Sequence, residues 1–296
     1  MMDYDKEHPT GRTLMRIAVT GATGHLGSHV VESLLAHGVA ADDITAIIRS
    51  QAKGASLAEM GVHLGVASYD DEPALASALK GVDRLVLISG SEVGKRLAQH
   101  ANIINAAKTA GVQFIVYTSL LNLDTSELGL AAEHRGTEEL LAKSGIDHTL
   151  LRNGWYWENY ASAIDSGKAV GKFYGAAGSA KVSGAARRDY AEAAAVVVTG
   201  EGHTGKVYEL AGSPALSYQD IADAVSTIIG SPVVYTDQSV AEYQQTLEGF
   251  GMPAEAASMY AAMDPIIAQG ALYSQSTDLQ DLIGRPSTSA AEALSA

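Results

Sequence analysis

Three glycines spaced by three, Gly21, Gly24 and Gly27, follow the apolar run Ile17-Ala18-Val19 in the stretch TGATGHLGSH at residues 20–29. An apolar helical pattern leads out of the stretch. The chemistry open to such a loop is the cradling of a pyrophosphate. Gly21 permits the tight turn, Gly24 lets the backbone approach the phosphates, and Gly27 lets the helix pack close to the strand. The start of the helix offers unpaired amides and a partial positive charge. Gly21, Ala22, Thr23, Gly24, His25 and Leu26 are therefore the candidate phosphate loop, with the His25 side chain facing outward. A glycine triplet alone is weak evidence. Here a strand precedes it and a helix follows, which favours the cradle over a plain strand-to-helix turn.

The second strand, Ile44 to Ile48, ends in Arg49, with Ser50 and Lys53 behind it. An acidic residue at this place would take the ribose hydroxyls and favour NAD. An arginine can instead clamp a 2′-phosphate with two parallel bonds. The expected cofactor is therefore NADP, used as NADPH. Asp70 follows the third strand, where it could bond the adenine amine. The fourth strand ends in Ser89, Gly90 and Ser91, small residues that let a dinucleotide cross the sheet.

The spacing GxxGxxG is that of extended and atypical short-chain dehydrogenases, whose usual members carry a Tyr-x-x-x-Lys proton shuttle. None of the 13 tyrosines here has a lysine four residues later. The fifth strand ends Tyr117-Thr118-Ser119, near the usual catalytic serine. The next helix offers His134 and, four residues on, Glu138, which share a side. His134 could donate a proton or bond a substrate carbonyl oxygen; a surface His–Glu pair fits as well. Interconverting an alcohol and a ketone needs a strong proton shuttle. An electron-poor acceptor needs less, because resonance stabilises its reduced form. The missing pair thus points to hydride delivery to an activated acceptor, or to a binding protein with no chemistry.

These residues need a scaffold, and the chain supplies a regular one. Strand patterns at 16–20, 44–48, 62–66, 83–89, 112–119 and 147–152 alternate with helical patterns at 25–37, 51–61, 72–80, 92–110 and 128–144. Such alternation of apolar strands with helices implies an α/β fold, a Rossmann-type doubly wound parallel sheet. Residues 15–153 are expected to form the NADP-binding domain, with later segments near 187–211 returning to it. Residues 154–296 are expected to form mainly a smaller α/β substrate lobe. Helices are expected at 190–199, 218–230, 240–249 and 253–270, the last interrupted near Pro265, and a strand at 206–211. Asp189 reads as a helix cap, and Arg187 and Arg188 as structural or lobe-joining residues. Residues 1–14 read as a flexible, polar N-terminal extension, and Met15 as an alternative start.

The 296 residues suffice for a large buried core. A net charge of −14 argues against nucleic acid as a partner. No apolar run reaches the ~18 residues needed to span a bilayer, so no membrane partner is expected. There is no cysteine, the nine histidines are scattered, and neither a metal nor a flavin is expected. A cytoplasmic location is the default, and a homodimer is possible.

The segments TGATGHLGSHVVESLL, LVLISGSEVGKRLAQHANIINAAKTAGVQFIVYTSLL, LGLAAEHRGTEELLAKSGIDHTLLRNGWYWENY and GKVYELAG together resemble the NmrA-like group of atypical short-chain dehydrogenases. The likeness is strongest to its bacterial NADPH-dependent quinone oxidoreductases, with triphenylmethane reductase a near cousin. It runs from about Met15 almost to the C-terminus. It implies an NADPH-dependent oxidoreductase that passes hydride to a quinone or similar flat aromatic acceptor without flavin or metal. The alternative within the group is a non-catalytic sensor of the NADP(H) state. The resemblance also implies that Asn153, Gly154, Trp155 and Tyr156 pass beside the nicotinamide. The Asn153 side chain would fix the carboxamide and Tyr156 would face the substrate. The aromatic run Trp155-Tyr156-Trp157 suits a flat acceptor, as does the wall of Met252, Met259 and Met263; both sets suit a core equally.

Overall fold

The computed structural model describes residues 15–296; the expected extension at 1–14 lies outside the described residues. The strands are β1 (Ile17–Val19), β2 (Ile44–Ile48), β3 (His63–Val66), β4 (Arg84–Leu87), β5 (Phe114–Leu120), β6 (Asp147–Asn153), β7 (Lys172–Gly175), β8 (Lys181–Val182), β9 (Val207–Leu210), β10 (Leu216–Ser217) and β11 (Val234–Asp237). Seven of them form one sheet in the order β3-β2-β1-β4-β5-β6-β9. β1 pairs in parallel with both β2 and β4, β2 with β3, and β4 with β5. Every residue of β1 and of β5 is buried, as expected for parallel strands covered on both faces. The chain reverses its direction of sheet growth between β1 and β4. In open α/β sheets that switch point, outside the carboxyl ends of the strands, is where ligands bind.

The helices are α1 (His25–Ala36), α2 (Ala55–Glu59), α3 (Glu72–Ala78), α4 (Arg96–Ala110), α5 (Ala131–Ser144), α6 (Ser162–Val170), α7 (Arg187–Thr199), α8 (Tyr218–Ile229), α9 (Val240–Gly249), α10 (Ala254–Ala268), α11 (Asp278–Ile283) and α12 (Ala290–Ser295). α2 and α5 begin at Ala55 and Ala131, later than the expected 51 and 128, and three further helices depart from the sequence reading for an identifiable reason. α4 begins at Arg96, not Glu92, because residues 92–95 form a turn closed by the Lys95 amide on the Glu92 carbonyl. α7 begins at Arg187, three residues early, so Asp189 lies within its first turn and is no cap. Its buried carboxylate accepts from the Thr288 amide at 2.7 Å, the Thr288 hydroxyl at 2.9 Å and Arg285 Nη2 at 2.8 Å. α10 runs unbroken through Pro265, because Ala257, Ala261, Asp264 and Ile267 anchor it on both sides of the proline.

The chain divides into two compact units. The first takes the described residues up to 118, with 136–151 and 191–207; the second takes 119–135, 152–190 and 208–296. The first is built on an aliphatic core that includes Ile47, Leu75, Leu85, Ile103, Ile115 and Leu141. The second has an aromatic core around Trp157, Tyr160, Phe173 and Tyr218. Its small sheets, β7 with β11 in parallel and β8 with β10 antiparallel, lie where the sequence shows little regularity.

Candidate functional site

In the first unit the glycine loop leaves β1 and enters α1 directly. Gly21 has a φ of 59°, the left-handed region that favours glycine. Its carbonyl accepts from the Gly24 amide at 2.8 Å, which closes the turn. A Cβ at Gly27 would drive into the Gly21 carbonyl oxygen and lie 2.8 Å from Ala22 Cα. The close approach at Gly27 is thus to the loop's own first residues, which sharpens the expectation of helix-to-strand packing. Gly24 stands at the start of α1 with no side-chain cap. No side chain caps the first-turn amides, and a helix start of this kind favours negative charge. Ala22 and Leu26 point into the core, while Thr23 and His25 are exposed.

Thr20 ties the carboxyl ends of β1 and β4 together, its Oγ1 accepting from the Ile88 amide at 3.0 Å. Beside them the Tyr69 hydroxyl donates to the Ile88 carbonyl at 3.2 Å. Burial pushes that phenol up to about 12, so it stays a neutral hydrogen-bonding group. Arg49 is exposed and pairs with Glu92 at 3.4 Å, while Lys53 is exposed in a single turn over Gln51–Lys53. Asp70 Oδ1 accepts from Gln99 Nε2 at 3.3 Å, so one of its oxygens is already engaged within the protein.

Ser89, Gly90 and Ser91 follow β4 and are held from several directions. The Ser89 amide donates to Thr118 Oγ1 at 2.9 Å. The Gly90 amide donates to His100 Nε2 at 3.0 Å, and the Gly90 carbonyl accepts from Arg96 Nε at 2.7 Å. His100 is fully buried and its Nδ1 meets Thr137 Oγ1 at 2.9 Å. Accepting at Nε2 requires the neutral imidazole with its hydrogen on Nδ1. Burial, with the Arg96 charge adding to it, pushes His100 down to about 3, which secures that state. Sequence reasoning missed His100 and Arg96. The only signal was their place in the first turns of α4, just after the Ser-Gly-Ser stretch.

In the second unit Asn153 ends β6 and is buried. Its carbonyl accepts from the Leu121 amide at 2.9 Å, and the Gly154 amide donates to the Leu210 carbonyl at 2.9 Å. A Cβ at Gly154 would lie 2.9 Å from the Tyr190 hydroxyl oxygen and 3.0 Å from two carbonyl oxygens, so the backbone needs glycine there. Asn153 Nδ2 lies 3.5 Å from the Tyr156 hydroxyl oxygen, and Asn153 Oδ1 is buried with no hydrogen-bond partner. Trp155 and Tyr156 are half-buried, whereas Trp157 is 2% exposed and belongs to the core. Of the three consecutive aromatics, Trp157 is therefore a core residue, and Trp155 packs against the same core. Arg187 lies over the Tyr156 ring at 4.8 Å, and Tyr190 meets that ring edge-on at 5.3 Å. Arg187 is also bonded to Asn159 Oδ1 at 2.8 Å. These bonds of Arg187, and that of Arg188 Nε to Thr288 Oγ1, stay inside the second unit.

Arg152 organises the backbone next to Asn153. Its guanidinium forks onto Asp124 at 2.8 and 3.0 Å and reaches Glu209 Oε1 at 3.0 Å. Glu209 Oε2 in turn accepts from the Asn122 amide at 2.8 Å. Arg152 holds the Asp124 carboxyl below the usual carboxylate range. The loop after β5 is thereby locked by a cation no sequence pattern announces. His134 is buried on α5, and Glu138 is half-buried one turn later. Of the lobe methionines, Met259 is exposed and Met263 packs against the aromatic core.

Taken residue by residue, these features fit a dinucleotide. The uncapped start of α1 suits a pyrophosphate, and the exposed Arg49 suits a further phosphate. A buried amide oxygen without a partner is costly, so Asn153 Oδ1 suits an amide donor such as a carboxamide. Among the described residues no group of His, Cys, Asp or Glu could hold a metal ion, and no helix is long and apolar enough to cross a membrane.

The model of the NmrA-like family matches residues 13–288. The chain belongs to the NmrA-like family. It is 50% identical over 279 residues to quinone oxidoreductase 2 of Escherichia coli strain K12, covering 94% of this chain and 97% of the relative. The crystal structure of an NADPH-dependent quinone oxidoreductase from E. coli complexed with NADPH superposes with a TM-score of 0.90 at 50% identity, covering 94% of this chain and 98% of that one. The triphenylmethane reductase of Citrobacter sp., complexed with NADP(H), superposes with a TM-score of 0.87 at 35% identity, over 94% of this chain and 98% of that one.

Proposed function

We propose that this protein is an NADPH-dependent oxidoreductase that transfers hydride to a quinone or a similarly flat, electron-poor acceptor, with no need of flavin or metal. The observation that carries the reading is the glycine loop, which continues into an uncapped α1 and demands glycine at Gly27, on a chain 50% identical to a quinone oxidoreductase over most of its length. When bound, the dihydronicotinamide supplies the hydride. The chain's residues do the rest. Gly21 to Leu26 hold the pyrophosphate through backbone amides. Arg49, with Lys53 near it, holds the 2′-phosphate after leaving Glu92. Ser89, Gly90 and Ser91 line the cofactor's path, and His100 and Arg96 keep Gly90 in place. Asn153 meets the carboxamide, while Trp155 and Tyr156 face the acceptor side. His134 and Glu138 are proposed as hydrogen-bonding groups for the acceptor. A cytoplasmic location and a homodimer complete the proposal. The test is to mix the purified protein with NADPH and a small quinone and to follow the nicotinamide absorbance.

A sensor of the NADP(H) state is the second reading, favoured by the absence of a Tyr-x-x-x-Lys pair. It predicts equal affinity for the oxidised and reduced cofactor and no turnover with any quinone.

A further inference from the structure

We infer that Tyr156 is the proton donor to the reduced acceptor, oriented by Asn153 and backed by the Arg187 guanidinium, in place of the missing Tyr-x-x-x-Lys pair. The inference rests on the oxidoreductase reading above. A Tyr–Lys shuttle consists of a phenol, a neighbouring cation and a hydrogen bond that aims the hydroxyl. Residues 153–187 bring all three together by another route.

The phenol is Tyr156. The cation is Arg187, 4.8 Å from the ring centroid, over the face and not beside the hydroxyl. A guanidinium is attracted to an aromatic face and more strongly to that of a phenolate, so it eases loss of the proton. Arg187 is held there from its own backbone outward. Its amide donates to Glu158 Oε1 at 2.9 Å, Nη1 lies 3.9 Å from Glu158 Oε2, and Nη2 donates to Asn159 Oδ1 at 2.8 Å. The third part is Asn153. Its Nδ2 approaches the Tyr156 oxygen at 3.5 Å as a donor, which leaves the hydroxyl hydrogen uncommitted. Its Oδ1 is buried and partnerless. One amide can thus take a carboxamide on one side and aim the phenol on the other.

The charged and titratable groups facing Tyr156 are Arg187, Glu158 and Tyr190. Burial holds the phenol above its usual value; the Asn153 bond and Arg187 act against that, and Glu158 adds to it. Tyr156 therefore keeps its proton through neutral pH. In the step itself the acceptor takes up the hydride with its two electrons. The Tyr156 O–H bond breaks, the proton passes to the acceptor's carbonyl oxygen, and the bonding pair stays on the phenolate. Water then returns a proton to Tyr156.

The test uses the full chain with Tyr156→Phe, Arg187→Met, Arg187→Lys and His134→Ala. Tyr156→Phe should lower kcat with a quinone by ~10²-fold, as loss of a general acid does, a far larger effect than on NADPH affinity. Arg187→Met should move the Tyr156 titration upward, read by tyrosine ring-carbon NMR in the protein without cofactor. The alkaline limb of the kcat profile should move the same way, and Arg187→Lys should restore most of both. If the wild type reduces quinone and Tyr156→Phe matches it in kcat and pH profile, the proton donor lies elsewhere, while the oxidoreductase reading stands. Loss of turnover in His134→Ala but not in Tyr156→Phe would place the donor on α5. A wild type without turnover sinks the oxidoreductase reading. The NMR titration then decides the Arg187–Tyr156 link by itself, and an unmoved titration in Arg187→Met overturns it.

Discussion

The imidazole Nε2 of His100 accepts the Gly90 amide hydrogen at 3.0 Å, with His100 fully buried on α4 and its other nitrogen on Thr137. A side chain ten residues downstream thus fixes the backbone of a proposed cofactor-lining loop. In His100→Phe the Gly90 amide loses its acceptor. An unmet donor of that kind costs ~1–3 kcal/mol, so chemical denaturation should show a loss of that order together with weaker NADPH binding. Unchanged stability and affinity would remove His100 from the account.

The same histidine makes stability depend on pH. Its folded value is pushed down to about 3 from an ordinary 6.5, so the native state binds fewer protons than the unfolded chain between those limits. Its contribution is complete above about 6.5 and is lost as the pH falls toward 3. The slope from this group is at most ~1.4 kcal/mol per pH unit. Unfolding free energies measured across that window should fall more steeply for the wild type than for His100→Gln. Parallel curves would contradict the assignment.

Arg49 and Glu92 give a pair of opposite predictions. Arg49→Ala should weaken NADPH far more than NADH, since a hydrogen bond to a charged group contributes ~1.5–3 kcal/mol. Glu92 competes for the same guanidinium at 3.4 Å, so Glu92→Gln should tighten NADPH and leave NADH unaffected. Titration calorimetry with both cofactors reads each effect. Equal losses for the two cofactors in Arg49→Ala would refute the 2′-phosphate role.

Gly27→Ala places a methyl group against the Gly21 carbonyl and 2.8 Å from Ala22 Cα, neither of which can swing aside as a side chain would. Overpacking of this kind costs ~1–3 kcal/mol. Because the displaced atoms belong to the phosphate loop, NADPH affinity should fall along with the melting temperature. Gly27 is not among the glycines of positive φ, so its loss is steric; Gly38→Ala meets no atom within 4 Å but has a positive φ of 82°, and shows what backbone strain costs without a clash.

What the sequence disclosed was local in the chain. Gly21, Gly24 and Gly27 lie within one turn and its helix, and Arg49 ends an apolar strand, so spacing and type suffice to place them. The sheet is legible for the same reason, as its inner strands are mostly apolar and alternate with helical patterns. The relations that escaped join distant residues. Gly90 and His100 look like a loop and a helix residue with no tie between them. Arg152 meets Asp124 and Glu209 across 28 and 57 residues, and Asp189 meets Thr288 across 99. No local pattern encodes such a pairing, so Asp189 at a helix start reads as a cap. Pro265 reads as a break because propensity counts the lost hydrogen bond, whereas burial on both sides of it outweighs that loss. Trp157 looks like part of an aromatic site because type alone does not tell a core ring from a lining one.

The central claim is hydride transfer from NADPH to a quinone on this chain alone. The most direct measurement is the loss of nicotinamide absorbance when purified, flavin-free protein is mixed with NADPH and a small quinone, with the hydroquinone quantified beside it. The account predicts one hydroquinone formed per NADPH consumed, saturation in both substrates, and a slower rate with NADH. Tight NADPH binding with no consumption across a panel of quinones would contradict it.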